Sequence, residues 1–336
     1  MRNIWMRTSP SRLIWRQFAA TQLVLRRLLA AVPVLVGISL LTFFILDLLP
    51  GNAAVSLLGP DATPQQVAQL AAQLQLDRPV AERYLEWMGD IVRGDLGRSI
   101  ASGQPVSTLI ADRFSVTLEL VAFALAVSIS LAVTVALLAA RRPRHFIDRA
   151  AAVIGMISLS IPSYLLAPLI VLVFAVHLDA FRSIGFTPLS ESLLGNLSSL
   201  TLPTVALACP FFGLYTRFLR GDLLEQIEGQ SYIITARAKG LGPWQVLIRH
   251  ALRNSLFGLI TVVGLNLGAL LGGTVIVEQI FALPGIGQLL IQAVNTRDVI
   301  VVQAIVLVMA IVTIIATLCV DLLYIILDPR LRYESP

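Results

Sequence analysis

The chain has 336 residues, of which 57% are hydrophobic and 13% charged, with a mean hydropathy of +0.82. A soluble domain carries about 45–50% apolar and roughly 25% charged residues, so this balance excludes an ordinary soluble globule and describes a membrane-embedded chain. The net charge of +5 does not signal nucleic acid: the basic residues lie in short segments between apolar runs, where they act as topology signals, and form no single patch.

A membrane helix needs about 20 apolar residues. Six runs qualify: Leu28–Leu49, interrupted only by Asp47; Phe114–Ala140; Ala151–His177; Leu193–Thr216, which carries Pro203 and Pro210; Ser255–Phe281; and Val299–Leu327. The first run is too long for the apolar stretch of a cleaved signal peptide, and no small-x-small site follows it at a suitable distance. Between the first two runs, Thr63–Leu76 and Val80–Arg93 read as amphipathic helices. Thr63 with Gln66 forms a capping-box pattern, Pro64 suits the first helical position, and Pro79 separates the two helices. This segment is either a cap or partner rim over the outer ends of the spans, or a lid that only packs on them.

Charge sets the orientation. Met1–Arg27 holds six Arg and no acid, Arg141–Arg149 holds four Arg, and Arg217–Asn254 holds five Arg and Lys239. The alternate segments are poorer: Pro50–Arg113 has five Arg against seven acids, and Leu178–Ser192 and Leu283–Asp298 have one Arg each. The positive-inside rule therefore places both termini in the cytoplasm, and six spans likewise require both ends on one side.

The most informative stretch lies in the basic loop Arg217–Asn254: Thr235-Ala236-Arg237-Ala238-Lys239-Gly240-Leu241. On a helix, Ile234, Ala238 and Leu241 share one face and Lys239 points roughly opposite. Ala236 and Gly240 present little side chain, so another surface can approach closely. Gly242-Pro243 then breaks the helix. Such a small-residue helix end flanked by cations suits insertion into a cleft on a soluble protein. An amphipathic helix lying on the membrane surface fits the same spacing.

Within the spans, Gly264, Gly268 and Gly272 form a tandem small-x-x-x-small stripe, which packs helices closely or offers a smooth sliding wall. Asn266 in the same span is an interhelical hydrogen-bonder or a path residue. Ser158, Ser160, Pro162, Ser163 and Tyr164 make the third span polar and bent; Ser160, Ser163 and Tyr164 are candidates to line a path, against a kink whose serines bond their own helix. Asp47, Glu119, Glu278 and Asp321 fall towards run ends and read as interfacial or rim residues. Cys209 and Cys319 lie in apolar runs with no CxxC and no Cys/His cluster, so neither disulfide nor metal site is expected. No G-x-x-x-x-G-K-[ST] loop is present and His145, His177 and His250 fall in separate segments, so no enzyme chemistry is expected of the chain.

The stretch from Thr235 to Leu241, followed by Arg249-His250-Ala251-Leu252-Arg253-Asn254, resembles the EAA loop of permease subunits of bacterial binding-protein-dependent ABC importers. The general pattern is Glu-Ala-Ala, three residues, Gly, nine residues, Ile-x-Leu-Pro. Here Ile234-Thr235-Ala236 stand first, and His250, Leu252 and Arg253 stand last, a departure that resembles the dipeptide/oligopeptide/nickel branch. Leu76-Asp77-Arg78-Pro79, Arg93-Gly94-Asp95-Leu96-Gly97-Arg98-Ser99, Leu283-Pro284-Gly285-Ile286-Gly287, Asp321-Leu322-Leu323-Tyr324 and Asp328-Pro329-Arg330 are similar to the same branch. Leu49-Pro50-Gly51-Asn52-Ala53 departs from it by lacking Asp-Pro after the glycine.

The resemblance implies an all-α polytopic membrane protein with six transmembrane helices, the type I ABC importer permease (MetI-like) fold, and both termini cytoplasmic. It divides the chain into a basic N-terminal segment (1–27), a first span with an extracytoplasmic helical segment (28–113), a permease core (114–327) with its coupling loop (217–254), and a tail (328–336). It further implies a second permease subunit, two ABC ATPase subunits or one fused ATPase that bind the ATP and Mg, an extracytoplasmic substrate-binding protein, and residence in the bacterial cytoplasmic membrane. Thr235, Ala236, Arg237, Ala238, Lys239, Gly240 and Leu241 would be the ATPase-coupling residues. No cofactor is expected in this chain, and lipid bilayer but no nucleic acid among its partners. A stand-alone secondary transporter or channel is the rival reading; it gives the loop at Gly240 no purpose.

Overall fold

The computed structural model describes residues 10–44, 54–55, 59, 62–73, 77–181 and 185–327. Asp47, Leu49 to Ala53, Leu76 and the segment from Asp328 lie outside the described residues, so the expectations placed on them are not taken further. Among the described residues the chain is helical, with one isolated bridge between Arg98 and Pro105.

Helix α1 covers Pro10–Phe44, α2 Pro64–Gln73, α3 Val80–Val92, α4 Val106–Arg141 and α5 Phe146–Ser160. Helix α6 covers Ser163–Ile170 and continues through wide π turns over Val171–His177. Then come α7 at Leu193–Gly229, α8 at Ser231–Ala238 and the single turn α9 at Pro243–Val246. The last runs through a π segment, Leu247–Ala251, into α10 at Leu252–Phe281. Helices α11 (Ile286–Asn295) and α12 (Val299–Leu327) complete the order.

Among the described residues, five helical stretches are long and apolar enough to cross a bilayer: Val24–Phe44, Val106–Arg141, Leu193–Gly229, Pro243–Phe281 and Val299–Leu323. The pair α5 and α6 makes a sixth when counted as one span, but it bends by 100° at Ile161-Pro162. The bend expected within Ala151–His177 is thus a full break between two helices. Pro162 lacks the amide that would extend α5 and instead starts α6, its carbonyl accepting from the Leu165 and Leu166 amides. Helix α4, at 36 residues, is about 54 Å long, well beyond the roughly 30 Å hydrocarbon core, so helical turns stand clear of the lipid.

The outer segment forms much as its turn signals dictate. The Thr63 amide donates to Gln66 Oε1 at 2.9 Å and the Gln66 amide to Thr63 Oγ1 at 3.3 Å, which completes the capping box ahead of α2. Helix α3 is held to α1: Tyr84 and Ser39 hydroxyls meet at 2.8 Å, and the Phe43 ring packs edge-on to Tyr84 with centroids 5.4 Å apart.

Close helix packing in lipid depends on small residues, since tails are as apolar as leucine. A Cβ on Gly213 of α7 would sit 2.6 Å from the Gly155 carbonyl oxygen of α5, which fixes how near those helices lie. One apolar cluster joins α4, α6, α7 and α10 around Leu120, Leu200, Leu207 and Leu270. A second, around Tyr215, Leu219, Ile233 and Leu259, joins α4, α7, α8 and α10.

Candidate functional site

Helix α8 ends because Gly240 takes a left-handed conformation, φ +78°. The Gly240 amide donates to the Arg237 carbonyl at 2.9 Å and the Leu241 amide to the Ala236 carbonyl at 3.3 Å, the paired bonds of a Schellman turn. A Cβ at Gly240 would meet nothing within 4 Å, so the glycine is required for its backbone angle and not for space inside this chain.

The turn has two sides. Ile233 and Ala236 are buried in the cluster that holds the α4, α7 and α10 ends, with Leu241 packed at its edge. Ile234, Thr235, Arg237, Ala238, Lys239 and Gly240 are exposed. This corrects two expectations. Ala236 does not present itself outward beside Gly240: it is turned into the chain's own core. Leu241 does not share an outward face with Ile234 and Ala238, because the turn at Lys239-Gly240 ends the helical phase before it. The outward surface is Ile234, Ala238 and Gly240 ringed by Thr235, Arg237 and Lys239. The rest of the expected loop is largely helical, since α7 runs on to Gly229 and the fifth span begins at Pro243.

The candidate path residues lie around the 100° break. Ser160, the last residue of α5, is exposed and bonds the Met156 carbonyl at 2.8 Å; Ser163 and Tyr164 open α6, half-buried and exposed respectively. Asn266 makes no interhelical bond among the described residues: its Nδ2 donates to the Val262 carbonyl of its own helix at 2.8 Å. The glycine stripe divides. A Cβ on Gly264 would lie 2.7 Å from Val320 Cγ1 and one on Gly268 3.3 Å from Thr313 Cγ2, both on α12, while Gly272 faces open space.

The chain matches the family model for the binding-protein-dependent transport system inner membrane component over residues 132–333, and that family's N-terminal model over residues 20–121. The chain belongs to this family. A Brucella abortus protein named as a permease of a peptide transport system is 40% identical over 314 residues, 94% of this chain and all of the relative. A Sinorhizobium fredii protein named as a peptide ABC transporter permease is 33% identical over 310 residues, 92% of this chain and 99% of the relative. The oligopeptide transport system permease of Bacillus subtilis is 34% identical over 313 residues, with the same shares. The chain is thus a multi-pass permease subunit and not an enzyme.

What sequence reasoning missed in this permease is a set of carboxylates tied to distant parts of the chain, with Glu278, Asp298 and Asp148 buried and Glu119 and Asp321 half-buried. Glu278, expected at a rim, is fully buried. Its Oε1 accepts from Thr117 Oγ1 of α4 at 2.7 Å, and its Oε2 accepts from the Gly287 and Gln288 amides of α11 at 2.7 and 3.2 Å. Thr117 also accepts from the Ile286 amide at 2.9 Å. The carboxylate therefore caps α11 and ties it to α4 and α10, a placement the helix dipole favours. A Cβ on Gly285 would collide with that carboxylate, and one on Gly287 with the Val275 backbone, which explains the Leu283-Pro284-Gly285-Ile286-Gly287 motif. Asp298, also buried, caps α12 and accepts from Ser99 Oγ at 2.5 Å and the Ala101 amide at 3.2 Å, anchoring the Arg93–Ser99 motif. Glu119 Oε2 accepts from the buried Asn196 Nδ2 at 2.9 Å. At the other end, Asp148 accepts from Nε and Nη2 of Arg220, and Asp321 pairs with Arg27 at 2.8 Å.

Proposed function

We propose that this chain is the first of two membrane-spanning permease subunits of an ATP-driven ABC importer that carries peptides across the cytoplasmic membrane. The observation that carries the reading is the bare Schellman turn at Gly240: an exposed small-residue helix end on a helix rooted in the core of the spans. The names of the Brucella, Sinorhizobium and Bacillus relatives support peptides as cargo.

In this reading the outward face of α8, from Thr235 to Gly240, sits in a cleft of an ABC ATPase, which binds the ATP and Mg. Movement of the ATPases acts on α8 and passes through Ile233 and Ala236 to the ends of α4, α7 and α10. Because packed cores shift between discrete arrangements, the spans respond as rigid bodies that open alternately to either side. An extracytoplasmic binding protein delivers the peptide, and both termini of this chain face the cytoplasm. Ser160, Ser163 and Tyr164 at the break between α5 and α6 offer hydroxyls to a peptide backbone. Gly272, where a Cβ would meet no described residue within 4 Å, faces the second permease subunit.

The test is uptake of radiolabelled di- and oligopeptides by cells lacking the chromosomal copy, with and without the chain restored. Uptake that returns with the chain and stops on ATP depletion supports the reading. Uptake that survives ATP depletion but collapses with the ion gradient would favour a secondary transporter instead.

A further inference from the structure

Beside α8, the start of the fifth span carries a second feature. Trp244, Gln245, Ile248, Arg249 and Arg253 line a hollow where the polar loop gives way to the apolar stretch of α10. Arg249 and Arg253 are exposed and four residues apart, and neither forms an ion pair with a described residue. The intervening backbone is the π segment Leu247–Ala251, a wider turn than an α-helix supplies. A third cation stands at the edge: the Arg141 guanidinium lies 4.7 Å over the Trp244 ring, which is thereby fixed as one wall. Ile248, 52% exposed, forms the apolar wall. Two guanidiniums with no ion pair among the described residues, a fixed indole and an exposed isoleucine stand at the start of a stretch long and apolar enough to cross a bilayer, and together match a phosphate headgroup with its acyl chains alongside.

We infer that this hollow holds the headgroup of an anionic phospholipid. Arg249 and Arg253 bind the phosphate, Trp244 sits at headgroup level and Ile248 meets the upper acyl chain. An acidic patch on a partner protein would satisfy the arginines but leave the exposed Ile248 wall unmatched. The inference rests on the membrane placement of α10 and not on the docking role of Gly240, so either can fail alone.

The full chain, purified in neutral detergent without partners, is presented with equimolar phosphatidylglycerol and phosphatidylcholine and read by native mass spectrometry. Wild type retains phosphatidylglycerol preferentially. Arg249→Gln and Arg253→Gln each lower that preference by roughly fivefold, about the attraction of one cation at an anionic surface, and the pair abolishes it. Arg149→Gln, an exposed cation on α5, leaves it intact. Unchanged melting in phosphatidylcholine shows that the double variant is folded. Equal retention of the two lipids, or full retention by the folded double variant, overturns the inference. So does displacement of the lipid by millimolar inorganic phosphate, which would assign the hollow to a free anion. Loss of a co-purifying ATPase from the double variant with lipid retention unchanged would give the arginines to a protein interface.

Discussion

The Glu278 cradle and the Gly240 turn are both glycine-bearing helix ends, built for opposite purposes. At the cradle, Gly285 and Gly287 are glycines because a side chain has no room: the carboxylate and the Val275 backbone fill the space. At the turn, Gly240 is a glycine because of its backbone angle, and the space beyond it is open. The first is closed on itself, with its donors and acceptors spent inside the chain. The second leaves its small-residue surface unspent. A glycine motif therefore marks internal packing or external contact according to what lies where the Cβ would be.

If that distinction holds, stability and uptake should rank the variants in opposite orders. The largest loss of stability belongs to Glu278→Ala, which strands the Gly287 and Gln288 amides; a buried unsatisfied donor costs about 1–3 kcal/mol each. Thermal unfolding in detergent should fall by many degrees, with Glu278→Gln intermediate because it keeps one acceptor. A melting temperature unchanged by Glu278→Ala would remove the cradle from the account.

Next come the stripe variants. Gly264→Ala drives a methyl against Val320 and should cost about 1–3 kcal/mol by overpacking, with Gly268→Ala smaller and Gly272→Ala near zero. The same melting experiment reads the gradient; a flat series would mean that α10 and α12 adjust freely. Should Gly272→Trp leave the isolated chain stable yet lose a co-purifying second permease, the open end of the stripe is an intersubunit face.

The turn variants carry a small stability cost and the largest functional one. Gly240→Trp places a side chain at φ +78° for about 1 kcal/mol, while abolishing peptide uptake. Gly240→Asn, which tolerates the left-handed angle, should retain most uptake. Equal loss from both would mean that any side chain at this position, and not bulk alone, blocks the contact. Lys239→Glu should leave melting unchanged and reduce uptake less than Gly240→Trp, as an exposed ion pair contributes under about 1 kcal/mol. Lys239 is the only lysine in the chain, so an amine-reactive probe reads its protection by a docked partner directly.

The sequence made the six apolar runs, the Thr63–Gln66 cap and the glycine stop at Gly240 legible because each is a local pattern. It did not show that Glu278 is buried. A glutamate near the end of an apolar run looks the same whether it faces headgroups or accepts from Thr117, 161 positions away. Gly285 and Gly287 were the available signal, since two glycines around a helix start imply something bulky beside them. The inward turn of Ala236 was hidden because the helical phase was carried through Gly240 to Leu241, past the point where the Schellman bonds end it. Pro162 announced a bend in the third span, but its size of 100° depends on α6 packing against α7 and α10, which no local pattern contains.

The central claim is that the surface around Gly240 receives an ATPase. The direct measurement is co-purification of a tagged chain from its native membrane after gentle extraction, wild type beside Gly240→Trp. The account predicts that ATPase subunits and a second permease arrive with wild type, and that the variant keeps the permease but loses the ATPases. A chain that emerges alone, or a variant that retains its ATPases in full, would contradict it.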